Sequence, residues 1–209
     1  MTLREIKSKH DTLKKIDGGG FLKKGSYNTF GSDHHKYKFN TVITQDEVNN
    51  FEETHHIKFP KDYKDFVTQI GNGGSGPAYG ILPLVNWNYE LDIEDPSFLQ
   101  TDFPHSEAWN LKNELAEDDE NYYDSEEFQN WENDYFSNKH ITGSIRICHY
   151  GCAIYYILIV TGQEAGNIWV DDRANDNGVY PALTMSNTTK LTFLDWYNEW
   201  LSENLNHLA

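Results

Sequence analysis

Two cysteines in 209 residues cannot build a disulfide framework. A chain of this length does not need one, because it buries roughly 70% of its unfolded surface on folding. Long apolar runs are also missing. The longest, Ala153–Val160 (AIYYILIV), falls short of the roughly 18 residues of a membrane span and reads as a buried strand. The charged start MTLREIKSKHDTLKK lacks the apolar core of a secretory signal. These absences lead to the expectation of a cytoplasmic protein with no membrane partner. Aromatic residues are plentiful at 14%, including six Trp and thirteen Tyr. They predict a packed core despite a mean hydropathy of -0.71.

Basic residues are scarce in one place. From Asn86 to Asn138 there are sixteen Asp and Glu against a single Lys, Lys112. Residues 1–40 hold nine Lys and Arg against four acids. The net charge of -16 is therefore gathered in one interior segment. Phosphate contacts need Lys and Arg, so this surface is not expected to bind nucleic acid directly, and its electrostatic complement is a cationic partner.

The first forty residues read as a basic helix (Leu3–Ile16) followed by a loose connector, with a hairpin around Phe21–Phe39. Residues 41–209 read as a single domain carrying an acidic, partly helical elaboration at about 86–138. Thr44 and Glu47 are spaced as a capping box. Pro60 suits the first turn of a second helix, whose stripe is Tyr63, Phe66, Val67 and Ile70, and Gly71 suits its end. A strand-like run follows at Tyr79–Val85. In the acidic segment, helices are expected near Ser106–Leu115 and Ser125–Phe136, the second with Phe128, Trp131 and Tyr135 on one docking face. Strands are expected at Ser144–His149, Ala153–Val160 and Asn167–Val170, with a hairpin turn at Tyr150–Cys152. A terminal helix capped by Thr192 and Asp195 carries a wide apolar stripe of Phe193, Trp196, Tyr197, Trp200, Leu201 and Leu205.

The loop GNGGSGPAYG (71–80) contains Gly71, Gly73 and Gly76 at G-x-G-x-x-G spacing. A dinucleotide fingerprint follows a strand and opens a helix. Here the glycines follow a helix, where the dipole end is negative, so the loop reads as a helix-to-strand turn.

These pieces in this order resemble the SUKH superfamily, which includes the cell-wall-synthesis regulators of the Smi/Knr type. The resemblance rests on ITQDEVNNFEETHHIKFPKDYKDFVTQIGNGG (Ile43–Gly74) and on GCAIYYILIVTGQEAGNIWVDD (Gly151–Asp172) with TFLDWYNEWL (Thr192–Leu201). It implies an α+β fold with helices packed against a mainly antiparallel sheet, no catalytic centre and no cofactor. It also implies a protein that binds partners: an immunity protein neutralising a cognate bacterial toxin, or a regulatory interaction module of the cell-wall type. In this setting the glycine loop reverses the chain with positive φ angles that glycine adopts freely.

Other constellations favour structural readings. Cys148 and Cys152 read as reduced packing thiols, with a redox pair or a zinc contribution as alternatives. Tetrahedral zinc wants four ligands, and no second cluster stands at metal spacing. His34–His35 and His55–His56 read as surface pairs. DDRANDNG (171–178) reads as a polar turn, because Arg173 and Thr184 would occupy calcium-loop positions that should be acidic. The candidate partner-binding residues are Glu117, Asp118, Asp119, Glu120, Asp124, Glu126 and Glu127, with Tyr122 and Tyr123 as aromatic anchors. Sixteen acids against one base cost self-repulsion that a merely soluble surface would avoid. The expected partner is a protein toxin with a basic surface.

Overall fold

A computed structural model of the chain describes residues 1–17, 27–113, 122–184 and 189–208. Among these residues are six α-helices: α1 (Leu3–Asp17), α2 (Ser32–His35), α3 (Gln45–His55), α4 (Lys61–Gln69), α5 (Glu126–Tyr135) and α6 (Phe193–Leu208). Four strands, β1 (Ser144–Gly151), β2 (Ile154–Ile159), β3 (Ile168–Asp172) and β4 (Gly178–Pro181), form one antiparallel sheet in that order. The α+β expectation is met.

Register divides the sheet into two faces, because residues directly opposite one another share a side. Leu158 opposite Ile168, and Tyr156 opposite Val170 opposite Tyr180, make the first face. Ile157 opposite Trp169, and Tyr155 opposite Asp171 opposite Val179, make the second. Helix α6, backed by α4 and α1, serves the first face. Trp196 of α6 packs on Tyr156 at 5.1 Å between ring centroids. Behind it, Phe193 and Tyr197 meet Phe66 of α4, each at 5.1 Å. Helix α1 packs along α6 with Ile6 and Leu13 fully buried.

Local signals set these helices as expected. Thr44 accepts from the Glu47 N–H at 3.2 Å, and the Glu47 carboxylate accepts from the Thr44 N–H at 2.7 Å, a complete capping box. Thr44→Ala should lower stability by about 1 kcal/mol, measured by urea denaturation; an unchanged midpoint would remove the cap's role. At the start of α6 the Thr192 hydroxyl accepts from the Asp195 N–H at 3.4 Å and donates to the Asp195 carboxylate at 2.8 Å. Pro60 stands one position earlier than expected, as the N-cap of α4.

Outside the acidic segment, three elements differ from expectation. Residues 21–26 of the hairpin anticipated around Phe21–Phe39 lie outside the described residues, and the remainder forms α2 and a tightly tied turn. The Asp17 carboxylate, 1% exposed, accepts from the Asn28 and Thr29 N–H groups and from the Tyr37 hydroxyl at 2.6 Å. The run Tyr79–Val85 is not a strand. Ile81 alone bridges to Gly74 and Cys148, and Leu84–Asn86 forms a 3-10 turn. Ala78 and Gly80 have positive φ and Pro83 lacks an N–H, so the chain cannot run extended. Strand β4 had no counterpart in the sequence reading, being short, Pro-terminated and wedged against a polar turn.

In the glycine loop, Gly73 and Gly74 take φ of 86° and 96° as the reversal requires. Gly71 is needed for space instead, since a Cβ there would lie 2.7 Å from the Phe39 Cβ. The loop thus packs backbone on backbone.

Candidate interaction surface

The acidic segment forms the layer that covers the second sheet face. Its aromatic residues turn inward. Phe103 meets Trp169 at 4.8 Å, Trp109 stacks on His140 at 3.9 Å, and Tyr135 of α5 is fully buried. Ser125 caps α5 by accepting from the Phe128 N–H, and Trp131 stacks on Tyr135 at 4.9 Å while donating to the Leu111 carbonyl. The docking helix is as expected at its described bounds.

The helix anticipated near Ser106–Leu115 is absent over residues 106–113, and Leu115 lies outside the described residues. Trp109 instead exchanges two 2.8 Å backbone hydrogen bonds with Val179. The outer edge of β4 offers unpaired N–H and C=O groups, and pairing with them outweighs a weak local helical preference.

Two arginines of the sheet hold this layer in place. Arg146 on β1 donates to the Tyr89 carbonyl at 2.7 Å and lies 3.6 Å over the Tyr155 ring. Arg173, just after β3, donates to the carbonyls of Tyr135 at 3.0 Å and Ser137 at 2.8 Å. Asp171 lies between them. Its carboxylate accepts from Arg173 Nε at 2.7 Å and from a second Arg173 nitrogen at 3.0 Å, a bidentate pair, and from Arg146 at 3.4 Å. Burial works to raise the Asp171 pKa, but the Arg173 hydrogen bonds and charge, then Arg146, hold it below the usual carboxylate value. The clamp borders a cleft of about 370 Å³ that Glu90 also lines, its carboxylate accepting from the Tyr155 hydroxyl. Arg146, Arg173, Asp171 and Glu90 are all engaged inside the protein, so the clamp's chemistry is cohesive.

With aromatics inward, the carboxylates face out. Of the eleven acids of residues 86–138 that are described, ten are exposed. The half-buried one, Asp134, pairs with Lys139 at 2.7 Å and with His140. Among the candidate residues, Asp124, Glu126 and Glu127 are exposed. Glu117, Asp118, Asp119 and Glu120 lie outside the described residues. The two tyrosines part company. Tyr122 is 7% exposed and packs on Phe128 at 4.9 Å, which withdraws it from any partner, whereas Tyr123 is 72% exposed.

The remaining constellations resolve into packing. The tight turn of the β1–β2 hairpin falls on Cys152 and Ala153, both at positive φ, one residue beyond the position expected. Cys148 therefore stands opposite Tyr156 and not opposite Cys152. Burial pushes the Cys148 thiol well above its ordinary pKa. Asp172 accepts from Asn175 and Asn177 and closes the 171–178 turn on itself. His35 is buried, contrary to the surface reading of its pair, while His34 and His56 are exposed. Arg146 and His10 were missed altogether, and Asp171 and Arg173 were read only as parts of a polar turn and not as the ion pair they form. The one signal in the sequence was an Arg set between two Ile in a strand (Ile145–Ile147), which points it to the face opposite theirs.

Among the described residues, no helix is long and apolar enough to cross a membrane. No solved structure matches the chain. A curated relative, immunity protein RhsIB of Dickeya dadantii (strain 3937), is 38% identical over 47 residues. That alignment spans 22% of this chain and 28% of the relative's length. The model of the SMI1/KNR4 family (SUKH-1) matches residues 42–188. This match takes in the capped helix α3, the glycine loop, the acidic layer and the whole four-stranded sheet, and the chain belongs to the SMI1/KNR4 (SUKH-1) family.

Proposed function

We propose that this chain is an immunity protein that neutralises a cognate bacterial toxin by stoichiometric binding, without turnover. The observation that carries the reading is the set of ten exposed carboxylates among the described residues of 86–138, in a layer tied to the sheet by the arginine clamp. The family membership and the partial relative named as an immunity protein support it. A toxin that acts on nucleic acid has a basic cleft, and carboxylates seated in or beside it block substrate access. Asp124, Glu126 and Glu127, the neighbouring Glu117–Glu120 run and the exposed Tyr123 form the contact zone, with Tyr123 the aromatic anchor.

Electrostatic steering of this kind raises association rates by roughly 10 to 10³-fold at low salt. The association rate with the catalytically inactivated toxin encoded beside this gene should therefore fall at least about tenfold between low and high ionic strength. Asp124→Lys with Glu126→Lys and Glu127→Lys should slow association more than it speeds dissociation. A tight complex with a salt-independent on-rate removes the electrostatic part, and no complex removes the immunity reading. A gene with no toxin beside it would favour the regulatory interaction module.

A further inference from the structure

Helix α6 does not cover all of the first sheet face. Beside it opens a groove of about 800 Å³, within the range of pockets that accept a ligand of a few side chains. Its floor is the cross-strand row Tyr156, Val170 and Tyr180, and Trp196 and Trp200 of α6 form one wall. The rim exposes apolar side chains that a finished core would cover. Phe30 is 54% exposed, Tyr150 42% and Leu183 38%. Phe30 and Tyr150 lean together at 5.3 Å, and Tyr150 in turn meets Tyr156 at 6.2 Å.

The same wall bears two carboxylates. Glu199 and Glu203 are four residues apart on α6, on one side of the helix, where like charges repel. Among the described residues neither forms an ion pair. Burial, and then the charge of Glu199, holds the Glu203 carboxyl above its ordinary pKa. Among the described residues, none of the acidic layer lines this groove, which lies on the opposite face of the sheet.

We infer that this groove is a second docking site for the toxin and takes a segment presenting an aromatic or aliphatic side chain next to a Lys or Arg. The apolar side chain would lie on the floor of Tyr156, Val170 and Tyr180 against the Trp200 wall, and the cation would pair with Glu199 and Glu203. A second copy of this chain is a poor occupant, since its net charge of -16 would repel its own kind. The inference rests on the immunity reading and extends it from one contact zone to two.

The test uses the full-length protein and the inactivated toxin encoded beside it. Binding is compared for wild type, Glu199→Lys with Glu203→Lys, Phe30→Ser with Tyr150→Ser, and the Asp124, Glu126 and Glu127 charge-reversal variant. Thermal melts check that each is folded. Both groove pairs should weaken affinity by about tenfold or more, chiefly through faster dissociation. If groove variants bind as wild type while the acidic-layer variant weakens, the inference is overturned and the immunity reading stands. If wild type itself does not bind, both fall. Should a groove variant fail to fold, carbodiimide cross-linking of the wild-type complex decides. Links from Glu199 or Glu203 to toxin lysines support the site, and links confined to residues 86–138 overturn it.

Discussion

Asp171→Ala is expected to lower the unfolding free energy by about 3–5 kcal/mol, a large share of the stability of a single domain. The carboxylate is 4% exposed and stands between two guanidinium groups that are 8% and 4% exposed as residues. Removing it leaves two positive charges in a site of low polarity with only carbonyl oxygens and a ring face to solvate them. The damage should spread in a defined direction. Arg173 ties down Tyr135 and Ser137, and Arg146 ties down Tyr89, so the acidic layer should loosen before the helices on the other face. Urea denaturation followed by tryptophan fluorescence gives the first number, and limited proteolysis within residues 86–138 gives the second. A loss below about 1 kcal/mol would mean that water reaches the guanidinium groups, as at an exposed salt bridge. The clamp would then not be what fastens the layer.

Acid should destabilise the protein well before its carboxylates titrate. Burial lowers the pKa values of His10 and His35 from 6.5 to about 4. Their residues are 2% and 8% exposed. His35 Nδ1 accepts from the Tyr37 N–H at 3.0 Å, so a proton there would break that hydrogen bond. His10 Nε2 lies 2.9 Å from the Ser75 hydroxyl, inside the same core. A folded-state pKa below the unfolded value means that the unfolded chain takes up the proton first. The stabilisation is complete above pH 6.5, shrinks as pH falls from 6.5 toward 4, and changes no further below 4. Each histidine contributes at most about 3 kcal/mol across that window. His105, likewise lowered to about 4 by burial, adds in the same direction. Protonation of the acidic layer relieves self-repulsion and opposes the trend below about pH 5, so the interval from 6.5 to 5 is the cleanest test. Urea midpoints measured at pH 7, 6 and 5 should fall steadily, and His10→Gln with His35→Gln should flatten the dependence. A wild-type midpoint constant from pH 7 to 5 would show that both rings can be protonated in place.

What was legible along the chain was whatever repeats with a local period. Thr44 with Glu47 and Thr192 with Asp195 marked helix starts, because a cap is an interaction over three residues. The stripe Tyr63, Phe66 and Val67 marked a buried helix face, and AIYYILIV marked the second strand of a hairpin. Trp109 was misread for the complementary reason. Its local pattern fits a helix, but a strand edge seventy residues later supplied better partners for its backbone. The candidate site was legible as a concentration of charge, since composition alone reveals that. Which of its aromatics point outward was not, and Tyr122 and Tyr123 show why: adjacent residues fall on opposite sides of a packed turn.

Determined by the sequence alone were the helix ends, the hairpin strands and the sign and place of the charge, each a property of residues within a few positions of one another. Only the tertiary structure decided that Asp171 joins Arg146 to Arg173, that His10 and His35 are buried, and that a groove stays open beside α6. The physical reason is that burial and ion pairing depend on which distant segments meet. No side-chain periodicity along one segment carries that information.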